Sequence, residues 1–111
     1  MKLEFLPESR TLIVKIDCEI DHHTSETIRR KVDGEIQRLT PRKVIFDFSG
    51  VSFMDSSGIG VIMGRYKNVQ RVNGATIMVN VKPAVNKVFE ISGITKLIPQ
   101  FDNINQALES M

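Results

Sequence analysis

The sequence predicts a single α/β domain with a mixed, mostly parallel sheet of four to five strands and about four helices. Short apolar or alternating runs recur along the chain, and amphipathic helical patterns separate all but the first two of them. Because a helix between two strands favours parallel pairing, the predicted order is β-β-α-β-α-β-α-β-α. With 111 residues the chain can bury one core, so we expect one domain over residues 1–111.

The first part of the chain reads as a hairpin followed by a helix. Strands are predicted at residues 3–6 and 11–16, because residues 7–10 (Pro-Glu-Ser-Arg) are typical of a turn. Asp21 or Thr24 can cap the helix that follows. Thr40 ends it, because a residue before proline resists the α conformation. The core stripe predicted for this helix consists of Ile28, Val32, Ile36 and Leu39.

The second part alternates strands and helices. Strands are predicted at residues 43–48, 75–81 and 94–98. The helix after the first of these reaches about Val72, with Asn73-Gly74 as a glycine C-cap. The next helix begins at Lys82-Pro83 and closes at Gly93, and residues 102–103 cap a final helix. Cys18 falls in a strand pattern, and we expect a small buried thiol there.

Residues 53–60 (FMDSSGIG) join a buried strand to a helix and are the most informative segment of the chain. Asp55, Ser56 and Ser57 have the chemistry of a helix N-terminus, where side-chain oxygens accept the free amides of the first turn. The helix dipole stabilises an anion at that point, so a phosphorylated hydroxyl is structurally tolerable there. Local chemistry alone is equally satisfied by a well-capped helix without any further role.

Helical spacing after this segment predicts one face that packs in the core and one face that points outward. The predicted core face consists of Ile59, Ile62, Met63, Tyr66 and Val69. The residues predicted to point outward are Gly60, Val61, Gly64, Asn68 and Arg71. Interior glycines each cost a helix roughly 0.8–1 kcal/mol relative to alanine. Either close packing within the chain or docking of a partner beside the serines can explain them.

Two groups of motifs resemble a known family. Residues 54–62 (MDSSGIGVI) and 64–67 (GRYK) resemble the signature of bacterial anti-sigma factor antagonists, the STAS-domain family. Residues 19–24 (EIDHHT), 83–85 (PAV) and 89–93 (FEISG) are similar to the sporulation branch. The resemblance covers nearly the whole chain in order and implies a small α/β STAS fold.

The resemblance also implies a binding function without catalysis. The unphosphorylated protein would bind an anti-sigma factor that is also a serine kinase, and so release the sigma factor. The kinase would phosphorylate Ser56, which ends binding, and a serine phosphatase would reset the protein. The predicted partner surface consists of Asp21, Asp55, Ser57, Gly60, Val61 and Gly64.

Composition and motif spacing weigh against several other classes of function. A net charge of +2 gives no argument for nucleic acid or an acidic membrane surface. The sequence has no apolar run of membrane-spanning length, and we expect a cytoplasmic protein that is monomeric when free. His22-His23 lacks metal-ligand spacing, so neither a metal nor a cofactor is predicted. The serines lack the G-x-S-x-G pattern of a hydrolase.

Two alternatives stay open on the sequence. Asp55 follows a strand, as the phosphorylated aspartate of a receiver-like or phosphocarrier domain does, although an accompanying acidic metal cluster is not evident. A STAS module that binds a small ligand would share the fold without needing phosphorylation. The identity of any phosphorylated residue distinguishes the first alternative from a serine switch.

Overall fold

The structure, a computed structural model, describes residues 1–110 and contains one sheet with helices on both faces. Within these residues the elements are β1 (Lys2–Leu6), β2 (Thr11–Lys15), α1 (His22–Leu39), β3 (Lys43–Asp47), α2 (Ser56–Arg71), β4 (Ala75–Val79), α3 (Pro83–Ser92), β5 (Gln100–Phe101) and α4 (Ile104–Glu109). A single 3-10 turn, Ile94–Lys96, lies between α3 and β5. The predicted class and order of elements are confirmed.

The strands lie in the sheet in the same order as in the chain, β1-β2-β3-β4-β5. β1 pairs with β2 as an antiparallel hairpin, and the pairs β2–β3, β3–β4 and β4–β5 are parallel. Each parallel pair is joined by a helix, as a crossover between parallel strands requires. The mixed, mostly parallel sheet predicted from the sequence is therefore confirmed.

The sheet separates two apolar clusters. Alternate residues of a strand face opposite sides, so Val44 and Phe46 of β3 enter the larger cluster and Ile45 enters the smaller one. Helices α1, α2 and α3 contribute buried residues to the larger cluster, and α4 contributes Ala107 to the smaller one. Each fully buried aliphatic or aromatic side chain stabilises the fold by roughly 1.5–3 kcal/mol.

Helix α1 follows its predicted pattern closely. Asp21 is its N-cap, and Ile28, Val32 and Ile36 are buried as expected, whereas Leu39 is partly exposed. Thr40 ends the helix in a left-handed conformation with φ 43°. The stripe works because residues four apart lie on one face of the helix.

The predicted last strand is misplaced. Residues 94–98 form no strand: Ile94–Lys96 is a 3-10 turn, in which Lys96 N–H donates to the Gly93 carbonyl at 3.1 Å, and the strand comes later, at Gln100–Phe101. Ile94 and Ile98 are buried as in a strand, but here they lie on a turn. A short apolar run does not distinguish a buried strand from a buried turn, which accounts for the error.

Two local expectations are also wrong. Asn73, with φ 62°, takes the left-handed conformation after α2, so Gly74 is not the residue that terminates the helix. Gly74 is required for a different reason, since a Cβ there would lie 2.7 Å from the Pro41 carbonyl oxygen. Cys18 follows β2 in a bend and is only partly buried.

Candidate functional site

The loops before α1 and α2 run side by side at the carboxyl ends of β2 and β3. Ile20 forms an isolated parallel bridge with Met54. The Ile20 amide donates to the Phe53 carbonyl at 3.1 Å, and the Asp55 amide donates to the Ile20 carbonyl at 3.1 Å. In open parallel sheets, binding sites form at this edge. The bridge therefore brings the two helix starts together at a position suited to a binding site.

Asp21 caps α1 through one carboxylate oxygen. Its Oδ1 accepts the His23 amide at 2.8 Å and the Thr24 amide at 3.0 Å, while the Thr24 hydroxyl accepts the Asp21 amide at 3.0 Å. The Thr24 amide bond is the main cause that lowers the pKa of Asp21, with partial desolvation opposing it. Within residues 1–110, Oδ2 has no hydrogen bond, so this oxygen is free to meet another molecule.

Asp55 caps α2, and Ser57 is its main partner. Asp55 Oδ1 accepts the Ser57 amide at 2.8 Å and the Ser57 hydroxyl at 2.5 Å. The Ser57 oxygen also lies 3.2 Å from the Ser25 hydroxyl of α1. Ser57 is half-buried, so this hydroxyl is held in place by contacts on both helices.

Ser56 differs from Ser57 in every one of these respects. It is exposed and occupies the first position of α2, where its hydroxyl makes no hydrogen bond to any residue within 1–110. A group transferred to this oxygen would sit at a helix N-terminus, whose amides and dipole favour an anion. Ser56 is therefore the more accessible of the two adjacent hydroxyls.

The glycines of α2 divide between the two explanations that the sequence left open. A Cβ at Gly58 would lie 2.3 Å from Met54 Cγ and 3.1 Å from Ile20 Cγ2, so close packing requires that glycine. A Cβ at Gly60 or Gly64 would meet no atom within 4 Å. Packing within residues 1–110 therefore does not explain Gly60 and Gly64, two positions one turn apart on α2 that carry no side chain.

The prediction that Val61 points outward is wrong. Val61 is 6% exposed and belongs to the larger apolar cluster. Helix α2 packs against α1 as well as against β4 and α3, and Val61 lies beside the α1 residues that line the same cleft. The single core face assumed from the sequence did not allow for α1 as a second neighbour.

Two residues beside this surface were missed by reasoning from the sequence. Arg65 is only 5% exposed and contacts Asp33 of α1, and the sequence pattern assigned it to neither face of the helix. Its spacing of four from Val69, a predicted core residue, was the available signal. Phe53 is 52% exposed in the loop directly before the serines, and an aromatic side chain there adds apolar area to the candidate surface.

Comparison with known proteins identifies the family. A model of the STAS domain matches residues 3–107. The chain is 36% identical over 111 residues to an anti-sigma F factor antagonist of Paenibacillus polymyxa, which spans 100% of this chain and 95% of that protein. The chain belongs to the STAS-domain family as an anti-sigma factor antagonist. The anti-anti-sigma role implied by the resemblance is thereby confirmed.

Solved structures of a related antagonist have the same fold. The structure of SpoIIAA in its unphosphorylated form superimposes with a TM-score of 0.74 at 32% identity, covering 96% of this chain and 92% of that one. The phosphorylated form of SpoIIAA from Bacillus gives a TM-score of 0.74 at 33% identity, covering 97% and 96%. The STAS fold expected for the chain is confirmed.

The antagonist thus brings most of its predicted site residues to one edge. Asp21, Asp55, Ser56 and Ser57 lie at the two adjoining helix starts, and Gly60 lies one turn further along α2. Gly64 lies another turn away on the same helix, and Val61 is excluded by its burial. Contact of these residues with a partner stays a prediction. No α-helix within residues 1–110 is long and apolar enough to cross a membrane.

Proposed function

We propose that this antagonist is a reversible binding switch controlled by phosphorylation of Ser56. The unphosphorylated chain binds an anti-sigma factor that is itself a serine kinase, which frees the sigma factor. Phosphorylation of Ser56 by that kinase ends the interaction, and a serine phosphatase restores binding. In this scheme the antagonist acts by binding and catalyses no reaction itself.

The observation that carries the proposal is the contrast between the two adjacent serines. Ser56 is exposed and makes no hydrogen bond to residues 1–110, so a kinase can reach its hydroxyl without disturbing the fold. Ser57 is half-buried and its hydroxyl donates to Asp55, so transfer to it would remove that hydrogen bond and place a phosphate against the Asp55 carboxylate. The existence of SpoIIAA structures in unphosphorylated and phosphorylated forms is consistent with such a switch in a relative.

The relatives suggest where the switch operates. The matching protein of Paenibacillus polymyxa is named an anti-sigma F factor antagonist, which favours the sporulation branch. A partner that controls a sigma factor acts on transcription, so the antagonist would act in the cytoplasm. The proposed contact surface combines Asp21, Asp55 and Ser57 with Gly60 and Gly64.

The proposed mechanism is electrostatic and local. A phosphate adds about −1.5 to −2 charge at pH 7. The N-terminus of α2 stabilises this charge while the neighbouring Asp55 carboxylate opposes it, so we expect little movement within the domain. At the interface, however, a partner surface shaped for a hydroxyl would have to desolvate a dianion, which strongly weakens binding.

The aspartyl-phosphate alternative gains no support from the geometry of Asp55. Its Oδ1 accepts both the amide and the hydroxyl of Ser57, which is the arrangement of a helix cap. Within residues 1–110 no group of three or more His, Cys, Asp or Glu side chains is placed to hold a metal ion. An acid-stable phosphate mapped to Ser56 favours the switch, whereas an acid-labile one on Asp55 favours the alternative.

The deciding experiment uses the purified chain, candidate anti-sigma kinases and ATP. Mass spectrometry should map the phosphate to Ser56 in the wild type and in Ser57→Ala, and find none in Ser56→Ala. Ser56→Ala should bind the kinase like the wild type, and Ser56→Asp should bind it at least tenfold more weakly. Ser52→Ala, an exposed serine on the same loop, is the matched control and should change nothing. Phosphate on Ser57, or equal binding of the phosphorylated chain, contradicts the proposal.

A further inference from the structure

Arg65 is a buried charge whose hydrogen bonds are incomplete. The residue is 5% exposed, and its Nη1 has no hydrogen-bond partner within residues 1–110. Nε lies 2.7 Å from Asp33 Oδ1, a close ion pair in which the N–H does not point at the oxygen. Arginine stays charged at all physiological pH values and has five N–H donors. A buried guanidinium with unused donors is costly unless another group completes it.

The Arg65 side chain lines an open cleft between α1 and α2. The cleft has a volume of about 430 Å³, and Arg65 and Gly60 of α2 line it opposite Ser25 and Arg29 of α1. Gly60 contributes no side chain to the cleft, and a Cβ at that position would meet no atom within 4 Å. Nε and Nη1 are shielded from solvent, so a ligand in the cleft contacts them only after a small rotation of the Arg65 side chain.

Two arginines, Arg29 and Arg65, and one carboxylate, Glu26, line the cleft. Burial is the main cause that lowers the pKa of Arg65; Asp33 and Glu26 oppose this, and the nearby positive charge of Arg29 lowers the pKa further. Arg29 pairs with Glu26, the acidic residue of the cleft, through Nε to Oε2 at 3.0 Å, but both side chains are more than half exposed. Such exposed pairs are weak and exchange partners readily. An anion placed between Arg29 and Arg65 would offset their repulsion.

We propose that the cleft between α1 and α2 is an oxyanion-binding site, in which a carboxylate or phosphate group accepts hydrogen bonds from the Arg65 guanidinium when that side chain turns toward the cleft. Two oxygens of a carboxylate or a phosphate match the spacing of guanidinium N–H groups, and two parallel charged hydrogen bonds make such pairs strong and specific. Arg29 and the Ser25 hydroxyl lie at the rim, where they can contact the same group. The site is independent of phosphorylation at Ser56 and does not require the proposed switch.

Two sources can supply the oxyanion. One is a small anion taken from solution, and the other is an acidic side chain of a protein docked on the antagonist. The second source is sterically possible because Gly60 and Ser25 belong both to the cleft and to the edge that carries the candidate partner surface. The experiment must therefore detect the site first and then distinguish the sources.

The site is tested by NMR titration of the full chain labelled with ¹⁵N-arginine. Inorganic phosphate and acetate are added separately at constant ionic strength, with chloride as the replaced anion. We expect a saturable shift of the Arg65 side-chain signal at about millimolar concentration, which corresponds to a weak but specific site. Arg71, exposed on the same helix, is the internal control and should shift only linearly and slightly.

Two variants separate an anion site from a merely structural arginine. Arg65→Lys keeps the charge but loses the planar pair of donors, so phosphate should bind about tenfold more weakly. Asp33→Asn keeps Arg65 and removes the carboxylate that competes for it, so phosphate should bind more tightly. If Arg65→Lys does not fold, the wild-type titration and Asp33→Asn still decide. A wild-type Arg65 signal that shifts no more than that of Arg71, or no tightening in Asp33→Asn, overturns the proposal.

The source of the anion follows from a competition experiment. If saturating phosphate weakens binding of the anti-sigma factor to the wild type but not to Arg65→Lys, an acidic side chain of the partner occupies the site. If phosphate leaves that binding unchanged, the ligand is a small anion from solution. Both results retain the site. Failure of the anti-sigma factor to bind at all would count against the proposed switch and would leave the phosphate titration intact.

Discussion

The hydroxyl oxygens of Ser25 and Ser57 lie 3.2 Å apart and join the first turn of α1 to the first turn of α2. Ser57 donates to the carboxylate of Asp55, and the Ser25 hydroxyl lies 2.5 Å from the Asp21 carbonyl oxygen. The two helix caps are thus linked through a pair of hydroxyls. Ser56 lies next to this network without belonging to it, so its modification need not break either cap.

Replacing Ser57 by alanine should affect stability and leave the switch in place. The variant loses the hydroxyl bond to Asp55 and the contact with Ser25, and we expect about 1 kcal/mol lower free energy of unfolding. Urea denaturation measures this loss, and Ser56→Ala is the matched control because Ser56 has no hydrogen bond within residues 1–110 to lose. A Ser57→Ala protein as stable as Ser56→Ala would mean that the hydroxyl network contributes nothing.

The three glycines at the start of α2 should respond to alanine in opposite directions. Gly60→Ala and Gly64→Ala should each raise the free energy of unfolding by up to about 1 kcal/mol, because alanine favours helix and the added methyl meets no atom. Gly58→Ala should lower it by about 1–3 kcal/mol, because Met54 would have to move. Thermal or urea unfolding of the three variants tests the signs.

A larger side chain at Gly64 tests the partner surface instead. Gly64→Arg should fold, since the position is open, but it should weaken anti-sigma factor binding if Gly64 belongs to a docking surface. Gly34→Arg is the matched control, because Gly34 is an open helical position on α1. If the two folded variants bind the anti-sigma factor with equal affinity, Gly64 has no docking role.

Patterns within one element were predictable from the sequence, whereas contacts between elements were less so. The stripe of α1 and the capping roles of Asp21 and Asp55 follow from local spacing and chemistry, and the structure confirms them. The burial of Val61 and Arg65 depends on where α1 crosses α2, which no periodicity of α2 alone encodes. The late position of β5 likewise depends on pairing with β4 over only two residues.

Val61 should now behave as a core residue. Truncation to alanine removes two methyl groups from the cluster between α1, α2 and the sheet, so we expect a loss of about 2 kcal/mol in the free energy of unfolding. At a temperature where the variant is folded, binding of the anti-sigma factor should match the wild type. A stable Val61→Ala protein with reduced binding would instead restore the surface role first predicted for it.

Asp21 has both a capping role and a predicted recognition role, which two substitutions separate. Asp21→Ala should cost about 1 kcal/mol through loss of the cap, whereas Asp21→Asn keeps a good cap and removes the charge. If the free Oδ2 meets a donor of the anti-sigma factor, Asp21→Asn should weaken binding at nearly unchanged stability. Asn103→Ala, which removes the side-chain cap of α4 far along the chain, is the control for stability loss alone. Should Asp21→Asn bind like the wild type, only the capping role remains.

The cap at Asp21 should also make the stability of the antagonist depend on acid pH. The amide of Thr24 is the main cause that lowers the pKa of Asp21 in the folded chain, with partial desolvation opposing it. A depressed folded-state pKa means that the charged cap stabilises the fold fully above the unfolded value of about 3.9 and loses this effect as pH falls through the lower folded value. The stability difference between wild type and Asp21→Ala should therefore be largest near neutral pH and shrink below about pH 4.

The neutral cap at Asn103 has no proton to bind, so the difference between wild type and Asn103→Ala should stay constant over the same range. Urea unfolding at pH 7 and pH 3 measures both differences, and a parallel change in the two would show that acid acts elsewhere than on the charged cap.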